Sequence, residues 1–304
     1  MDWGIHLPHM GQKANREALV SFAQRADALG YHSGWVSDHI AWPSDIASRY
    51  PYTPDGAFPA PQNLPWLDPI GTLFFVAGCT ERLKLGTTVL ILGYRPPVQT
   101  AKAIASLDVV SDGRVILGVG VGWMREEFEV LGMPFDHRGR RADEQLEVFR
   151  TLFTAEHPSY DGTYYQFPPV GFEPKPVQAS IPIWVGGNTE AAYRRTARFG
   201  DAFHAAFEPL DDVRVAWARV QELVKAEGRD PATVRLSIRL YLDPEGAMPP
   251  AKSIAGSTEQ MLDTIGAWQE IGVDHILMDP VAPGGLAGRA ALMERFMTDV
   301  APGV

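Results

Sequence analysis

Short apolar runs alternate with longer amphipathic segments from one end of this chain to the other. Residues 3–7, 33–36, 83–90, 115–119, 182–185, 202–206, 234–240 and 275–278 have the length and apolar density of buried strands. Between them, apolar residues recur at helical spacing over 14–29, 68–79, 97–111, 138–153, 190–199, 211–227, 258–271 and 286–299. Ser257, three residues ahead of Gln260, reads as a capping box, and Gly30, Gly200, Gly228 and Gly272 stand where helices should stop. Strict alternation predicts parallel strands joined by right-handed crossovers. Eight such units predict one domain over 1–304, an α/β fold of the (β/α)8 TIM-barrel type, in preference to a doubly wound open sheet.

Three connections are too long to be simple turns. Residues 38–67 are rich in proline and aromatics (Trp42, Tyr50, Tyr52, Phe58, Trp66), 156–180 contain a hairpin-like segment from Tyr160 to Phe167, and 243–256 are rich in proline and glycine. The first and third follow strands, which places them at the C-terminal face, where barrel active sites lie. The hairpin precedes strand five and fits either face. Composition narrows the partners. With 27 basic against 37 acidic residues, the net charge of -10 speaks against binding nucleic acid or an anionic membrane. The single cysteine, Cys79, excludes an intramolecular disulfide and a thiolate metal cluster. No signal-like start and no apolar run of about 18 residues is seen, so a cytoplasmic protein is expected.

Candidate chemistry sits at the strand ends. Asp38 and His39 close strand two, and an imidazole there suits proton transfer or hydrogen bonding to a polar ring. Trp42 in the same loop could wall an aromatic cavity. After strand four, Gly118, Gly120 and Gly122 remove side chains where something flat could approach the backbone. Their spacing is not that of a dinucleotide-binding fingerprint. After strand five, Gly186, Gly187, Asn188 and Thr189 lead into a helix, with Arg194 and Arg195 about a turn inside; this has the form of a phosphate seat. His6 and His9 lack companion ligands, so no metal site is expected. Arg138, Arg140 and Arg141 read as a solvated helix start, and His204 as either a pocket-lining or a satisfied core histidine.

In this order, Ser37-Asp38-His39, Leu85-Gly86-Thr87-Thr88-Val89, Leu117 to Trp123, Pro182 to Gly187 and Gly272-Val273-Asp274-His275 resemble the luciferase-like monooxygenase superfamily. They are most similar to its deazaflavin F420-dependent oxidoreductase branch. The resemblance spans the whole chain. It implies coenzyme F420 as a flat ring across the barrel mouth, with a non-proline cis peptide at Thr88–Val89 behind it. Gly186 and Gly187 would meet the cofactor phosphate, and Asn188, Thr189, Gly118, Gly120 and Gly122 would complete the cofactor-binding set. Asp38, His39 and Trp42 would form the catalytic group, with Asp38 orienting His39, His39 contacting the ring or the reacting atom, and Trp42 walling the substrate side. The sugar-phosphate dehydrogenases of this branch carry a glutamate after the glycine turn. Here that position is Trp123, so the carboxylate is expected to be missing. The implied reaction is hydride transfer between F420 and a small apolar or aromatic substrate, in a homodimer. The alternatives are an FMN-dependent monooxygenase served by a separate reductase, and a non-catalytic flavin-binding protein.

Overall fold

The structure is a computed structural model that describes the chain except for Tyr52, Pro54, Pro59 and Gln62; Tyr52, one of the loop aromatics, therefore lies outside the described residues. The strands are β1 (Asp2–His6), β2 (Ser33–Val36), β3 (Lys84–Thr87), β4 (Leu90–Ile91), β5 (Val115–Gly120), β6 (Tyr160–Asp161), β7 (Gln166–Phe167), β8 (Ile183–Gly186), β9 (Ala202–Ala206), β10 (Arg235–Leu242), β11 (Ser253–Ile254) and β12 (Val273–Pro280). The helices are α1 (Arg16–Ala28), α2 (Pro69–Ala77), α3 (Pro97–Val110), α4 (Arg125–Val130), α5 (Arg138–Thr154), α6 (Glu190–Phe199), α7 (Leu210–Ala226), α8 (Thr258–Glu270) and α9 (Leu286–Arg295). Parallel pairing runs β1–β2–β3–β5–β8–β9–β10–β12 and returns to β1, which closes an eight-stranded barrel. The expected (β/α)8 architecture is the observed one.

Local physics explains where the elements end. Asn15 caps α1, Asp68 caps α2, and Ser257 with Gln260 forms the full capping box of α8. Strand three is shorter than expected: regular pairing stops at Thr87, the Thr88–Val89 peptide is cis, and Leu90–Ile91 resume pairing with β5 as β4. The last helix becomes a wider, π-type turn over Phe296–Val300 rather than continuing regularly. Helix α4 was not anticipated; with only six residues it has too few turns to show a period. The 160–167 hairpin rides along the flank of α5, where Glu144 accepts from the backbone N–H groups of Thr163 (3.0 Å) and Tyr164 (2.8 Å).

Large rings fill the barrel interior and glycines make room for them. Trp35 and Trp184 are buried there with Ile116, Ala202 and Leu277. A Cβ on Gly86 would come within 2.4 Å of the Trp35 ring, and one on Gly4 within 2.8 Å of both His275 Nε2 and Trp35 Nε1. Bulk on one strand is thus matched by its absence on the facing strands, as a closed barrel requires.

Candidate active site

The described residues of 38–67 leave the end of β2 and fold over the mouth, and α4 holds them there. Glu126 Oε1 accepts from the N–H groups of Ala47 (2.9 Å) and Ser48 (3.0 Å). Glu127, wholly buried, does more. Its Oε1 accepts from Ile40 N (2.6 Å) and Ala41 N (3.1 Å), while Oε2 lies 2.7 Å from His39 Nδ1 and accepts from Tyr94 Oη at 2.7 Å. Burial works to raise the Glu127 carboxyl, but the bonds and charge of His39, Ile40 N–H and Tyr94 outweigh it and hold the group below the usual carboxylate range. A carboxylate only accepts, so Nδ1 of His39 carries the proton and Nε2 is the nitrogen that Glu127 leaves unengaged.

This arrangement corrects two expectations. Asp38 does not orient His39. Its Oδ2 accepts from Ile91 N (2.9 Å) and Arg95 Nη1 (2.7 Å), and its Oδ1 from Arg95 Nη2 (3.0 Å), so it ties the end of β2 to β4 and the turn after it. Burial pushes this carboxyl upward against the pull of Arg95. Nor is a carboxylate missing from the mouth, because α4 delivers Glu127 four residues beyond Trp123. Trp123 instead joins an aromatic wall. His39 stacks on Trp42 (centroids 4.4 Å apart, 28° between planes) and meets the edge of Trp66 at 5.0 Å. Phe58 lies 4.9 Å from Trp42 and stacks on Trp123 at 5.6 Å, and Tyr50 closes on Trp123 at 5.1 Å.

The floor of the mouth is polar and was largely unforeseen. Arg239, on β10, pairs with Asp279 through Nε (2.9 Å) and Nη2 (2.8 Å) and points Nη1 at the carbonyl of Thr88 (3.3 Å). His6 bridges Asp279 (3.3 Å) and Ser37 Oγ (3.0 Å), and His9 Nε2 accepts from Ser37 N at 2.9 Å. Burial first, and then the charge of Arg239, hold His6 well below the ordinary histidine value and His204 at about 3; burial chiefly holds His9 at about 4. These imidazoles are neutral acceptors and donors at pH 7.

The glycines divide into two groups. A Cβ on Gly118 would sit 1.8 Å from the Thr87 carbonyl, on Gly120 2.5 Å from a Val89 methyl, on Gly122 2.8 Å from Phe128, and on Gly186 2.8 Å from the other Val89 methyl. The room they leave is taken by the protein itself, with Val89 wedged between Gly120 and Gly186. Gly187 differs. Its φ of +118° strongly favours glycine, and the one close neighbour of an added Cβ is Ala192, at 3.2 Å. Thr189 caps α6 by accepting from Ala192 N (3.3 Å), and Asn188 donates to Glu208 (2.8 Å). A small cleft of about 30 Å³ opens beside Gly187 and Asn188 over Tyr193, Phe203, Glu208 and Asp212. Burial raises the Glu208 carboxyl. The arginines inside α6 are engaged elsewhere, Arg194 with Glu190 and Arg195 with Asp143.

The sequence profile described as luciferase-like monooxygenase matches residues 4–244. The chain is 37% identical over 210 residues to an uncharacterized protein of Mycobacterium tuberculosis (strain ATCC 25618 / H37Rv), covering 69% of this chain and 72% of that one. It is 32% identical over 203 residues to an F420-dependent glucose-6-phosphate dehydrogenase of Amycolatopsis mediterranei (strain U-32), covering 64% of this chain and 56% of that one. Among solved structures, an F420-dependent secondary alcohol dehydrogenase in complex with an F420-acetone adduct superposes with a TM-score of 0.80 at 18% identity, over 100% and 98% of the two chains. The oxygenating constituent of 3,6-diketocamphane monooxygenase from Pseudomonas putida, in complex with FMN, gives 0.76 at 18%, over 100% and 99%. At such identities the two structures attest the barrel alone. Among the described residues, no helix is long and apolar enough to cross a membrane.

Proposed function

This chain belongs to the luciferase-like monooxygenase family and is an oxidoreductase; from that premise we propose that it transfers a hydride between coenzyme F420 and a small apolar or aromatic substrate. The observation that carries the reading is the Glu127–His39 pair set among the rings of Trp42, Phe58, Trp66 and Trp123, a positioned base in apolar surroundings. The F420-dependent name of the Amycolatopsis relative supports the choice of cofactor. The residues present fit the phosphate of such a group: Gly187 leaves its backbone open at the start of α6 beside a small cleft, and half-buried Val89 lies at the end of strand three next to buried Thr88. When bound, the deazaflavin supplies the hydride-accepting or hydride-donating carbon.

The chain's own residues do the rest. In the oxidative direction, His39 Nε2 takes the substrate proton as the hydride departs, and Glu127, bonded to Nδ1–H, stabilises the imidazolium that results. Tyr94 and the Ile40 and Ala41 N–H groups fix that carboxylate in place. Trp42, Phe58, Trp66 and Trp123 exclude water and favour planar or apolar substrates. Asp38 and Arg95 serve as the brace of the loop's first residues.

One observation favours a second reading, an FMN-dependent monooxygenase supplied by a separate reductase. Glu208 and Asp212 line the cavity beside Gly187, and acidic walls oppose the acidic tail of F420 more than they oppose FMN. Titrating the purified protein with F420 and with FMN, following ring fluorescence, separates the two. Saturable binding of F420 alone supports the first reading, and of FMN alone the second. Binding of neither overturns both.

A further inference from the structure

A hydrogen-bonded chain crosses the barrel interior from the mouth to the opposite face. Thr88 Oγ1 lies 3.0 Å from His204 Nε2, His204 Nδ1 is 2.8 Å from Ser237 Oγ, and Ser237 Oγ is 2.8 Å from His275 Nδ1. His275 Nε2 is then 3.1 Å from Ser33 Oγ, and Ser33 Oγ is 3.1 Å from His32 Nδ1. His32 Nε2 faces Asp2 at 3.5 Å on the N-terminal face, where both side chains reach solvent. Ser33, Ser237, His204 and His275 are essentially inaccessible. Trp35 stacks on His204, and Trp184 packs edge-on against His275.

We propose that this chain is a proton wire that supplies the mouth with a proton from the far face of the barrel. The proposal rests on the cofactor reading above. Adding a hydride to a deazaflavin or flavin ring adds one negative charge, and one proton must follow to balance it. The substrate's own proton has gone to His39. The second proton therefore needs another source while substrate and the aromatic loop cover the mouth.

Hydrogen-bond counting allows the chain two orders only. Trp35 Nε1–H donates to Ser33 Oγ at 2.8 Å, so Ser33 has one proton to give, either to His275 or to His32. In the first order it donates to His275 Nε2, His275 Nδ1–H donates to Ser237, Ser237 to His204 Nδ1, and His204 Nε2–H to Thr88. In the second order every bond is reversed. Passage from the first to the second moves the Thr88 hydroxyl proton onto the ring and refills Thr88 from His204. Each later member is refilled from the next, and His32 Nδ1–H refills Ser33. His32 then takes one proton from solvent at Nε2. Every member is neutral before and after, which matches imidazoles that burial keeps unprotonated. Reoxidation of a ring held on the protein runs the shift backwards and restores the first order.

A purely structural network would also satisfy these buried groups, so the test must read proton movement. In either order His204 and His275 hold opposite tautomers. Nitrogen-15 NMR of the free protein should show one protonated on Nε2 and the other on Nδ1; the same tautomer on both overturns the wire, whatever cofactor binds. With FMN or F420 bound, whichever the titration identifies, the ring is reduced photochemically by a sacrificial amine donor, with the mouth covered by an aromatic hydrocarbon that cannot take the hydride back. Proton uptake is followed by a pH indicator in mixtures of light and heavy water. Wild type should give a curved, multi-proton isotope dependence. Ser237→Ala, which interrupts the middle, and His32→Phe, which closes the far entrance, should slow uptake by about tenfold or more and straighten that dependence, with FMN or F420 affinity unchanged. Wild-type uptake and curvature in His32→Phe overturn the proposal, and this partly exposed site, 18% open at its side chain, decides it even if Ser237→Ala does not fold.

Discussion

Nδ1 of His39 and Oε2 of Glu127 lie 2.7 Å apart across a separation of 88 residues. The carboxylate accepts four hydrogen bonds, from His39, Tyr94, Ile40 and Ala41, so no orientation of an amide can replace it without turning an N–H₂ toward existing donors. Glu127→Gln should therefore lower turnover by about 10²–10⁴-fold, the range for a misoriented or poorly stabilised base, while cofactor affinity changes little. Turnover and cofactor titration on one preparation check this; a variant as active as wild type would show that Glu127 only braces the loop.

His39→Ala should cost a similar factor in turnover. The imidazole, with 10% of its side chain exposed, is one of four donors to buried Glu127, and the other three remain in the variant, so the melting temperature should fall by only roughly 2–5 °C. Loss of stability with normal turnover in the folded fraction would instead identify a packing histidine.

Asp38→Ala should behave in the opposite way. Removing this buried carboxylate leaves Arg95, itself mostly buried, with Asp68 as its remaining carboxylate partner. Breaking such a pair costs about 3–5 kcal/mol, or a fall of roughly 5–10 °C in melting temperature. Unaltered melting with turnover abolished would return Asp38 to the catalytic group.

Gly187→Asp tests the phosphate seat. A side chain at φ +118° is strained, and its charge would stand against the backbone donors at the start of α6. Cofactor affinity should fall at least about tenfold. Calorimetric titration giving equal affinities would remove Gly187 from the cofactor site.

Acid should unfold this protein early. Five histidines that burial holds below their ordinary value (His6, His9, His32, His204, His275) stay unprotonated in the fold but bind protons once unfolded. Stability is therefore intact above about pH 6.5 and falls as pH drops below it, by roughly 1.4 kcal/mol per pH unit per histidine. Five together reach roughly 7 kcal/mol per unit, comparable within two units to the whole stability of an ordinary domain. Asp38 and Asp279, raised by burial, take up protons first in the fold and so oppose this as pH falls through their raised values. Urea midpoints between pH 7 and 4.5 check the slope; a flat profile would mean that these imidazoles are protonated in the fold.

The barrel was legible in the sequence because it rests on local patterns. Period-two and period-3.6 burial, Asn15, Asp68 and Ser257 as caps, and glycines of positive φ at positions 30, 228 and 272 are each decided within a few residues. Gly200 also ends its helix, but with φ -82°; there the requirement is space, since a Cβ would lie 3.0 Å from the Thr196 carbonyl. The ordered motifs likewise led to Thr88–Val89 and to the strand-two histidine.

What the sequence could not carry were partners brought together by closure. Glu127 sits on a helix too short to have a period, and nothing across a separation of 88 residues marks it as the mate of His39. Gly118, Gly120 and Gly186 look alike in sequence whether a ligand or a Thr87 carbonyl and a Val89 side chain occupy the space beside them. His204, Ser237 and His275 come from three strands and meet because the register sets Ser237 beside both histidines. Periodicity fixes which face of a strand looks inward. Only the pairing of strands around a closed barrel fixes which inward side chains lie within 3 Å, and the chemistry depends on those distances.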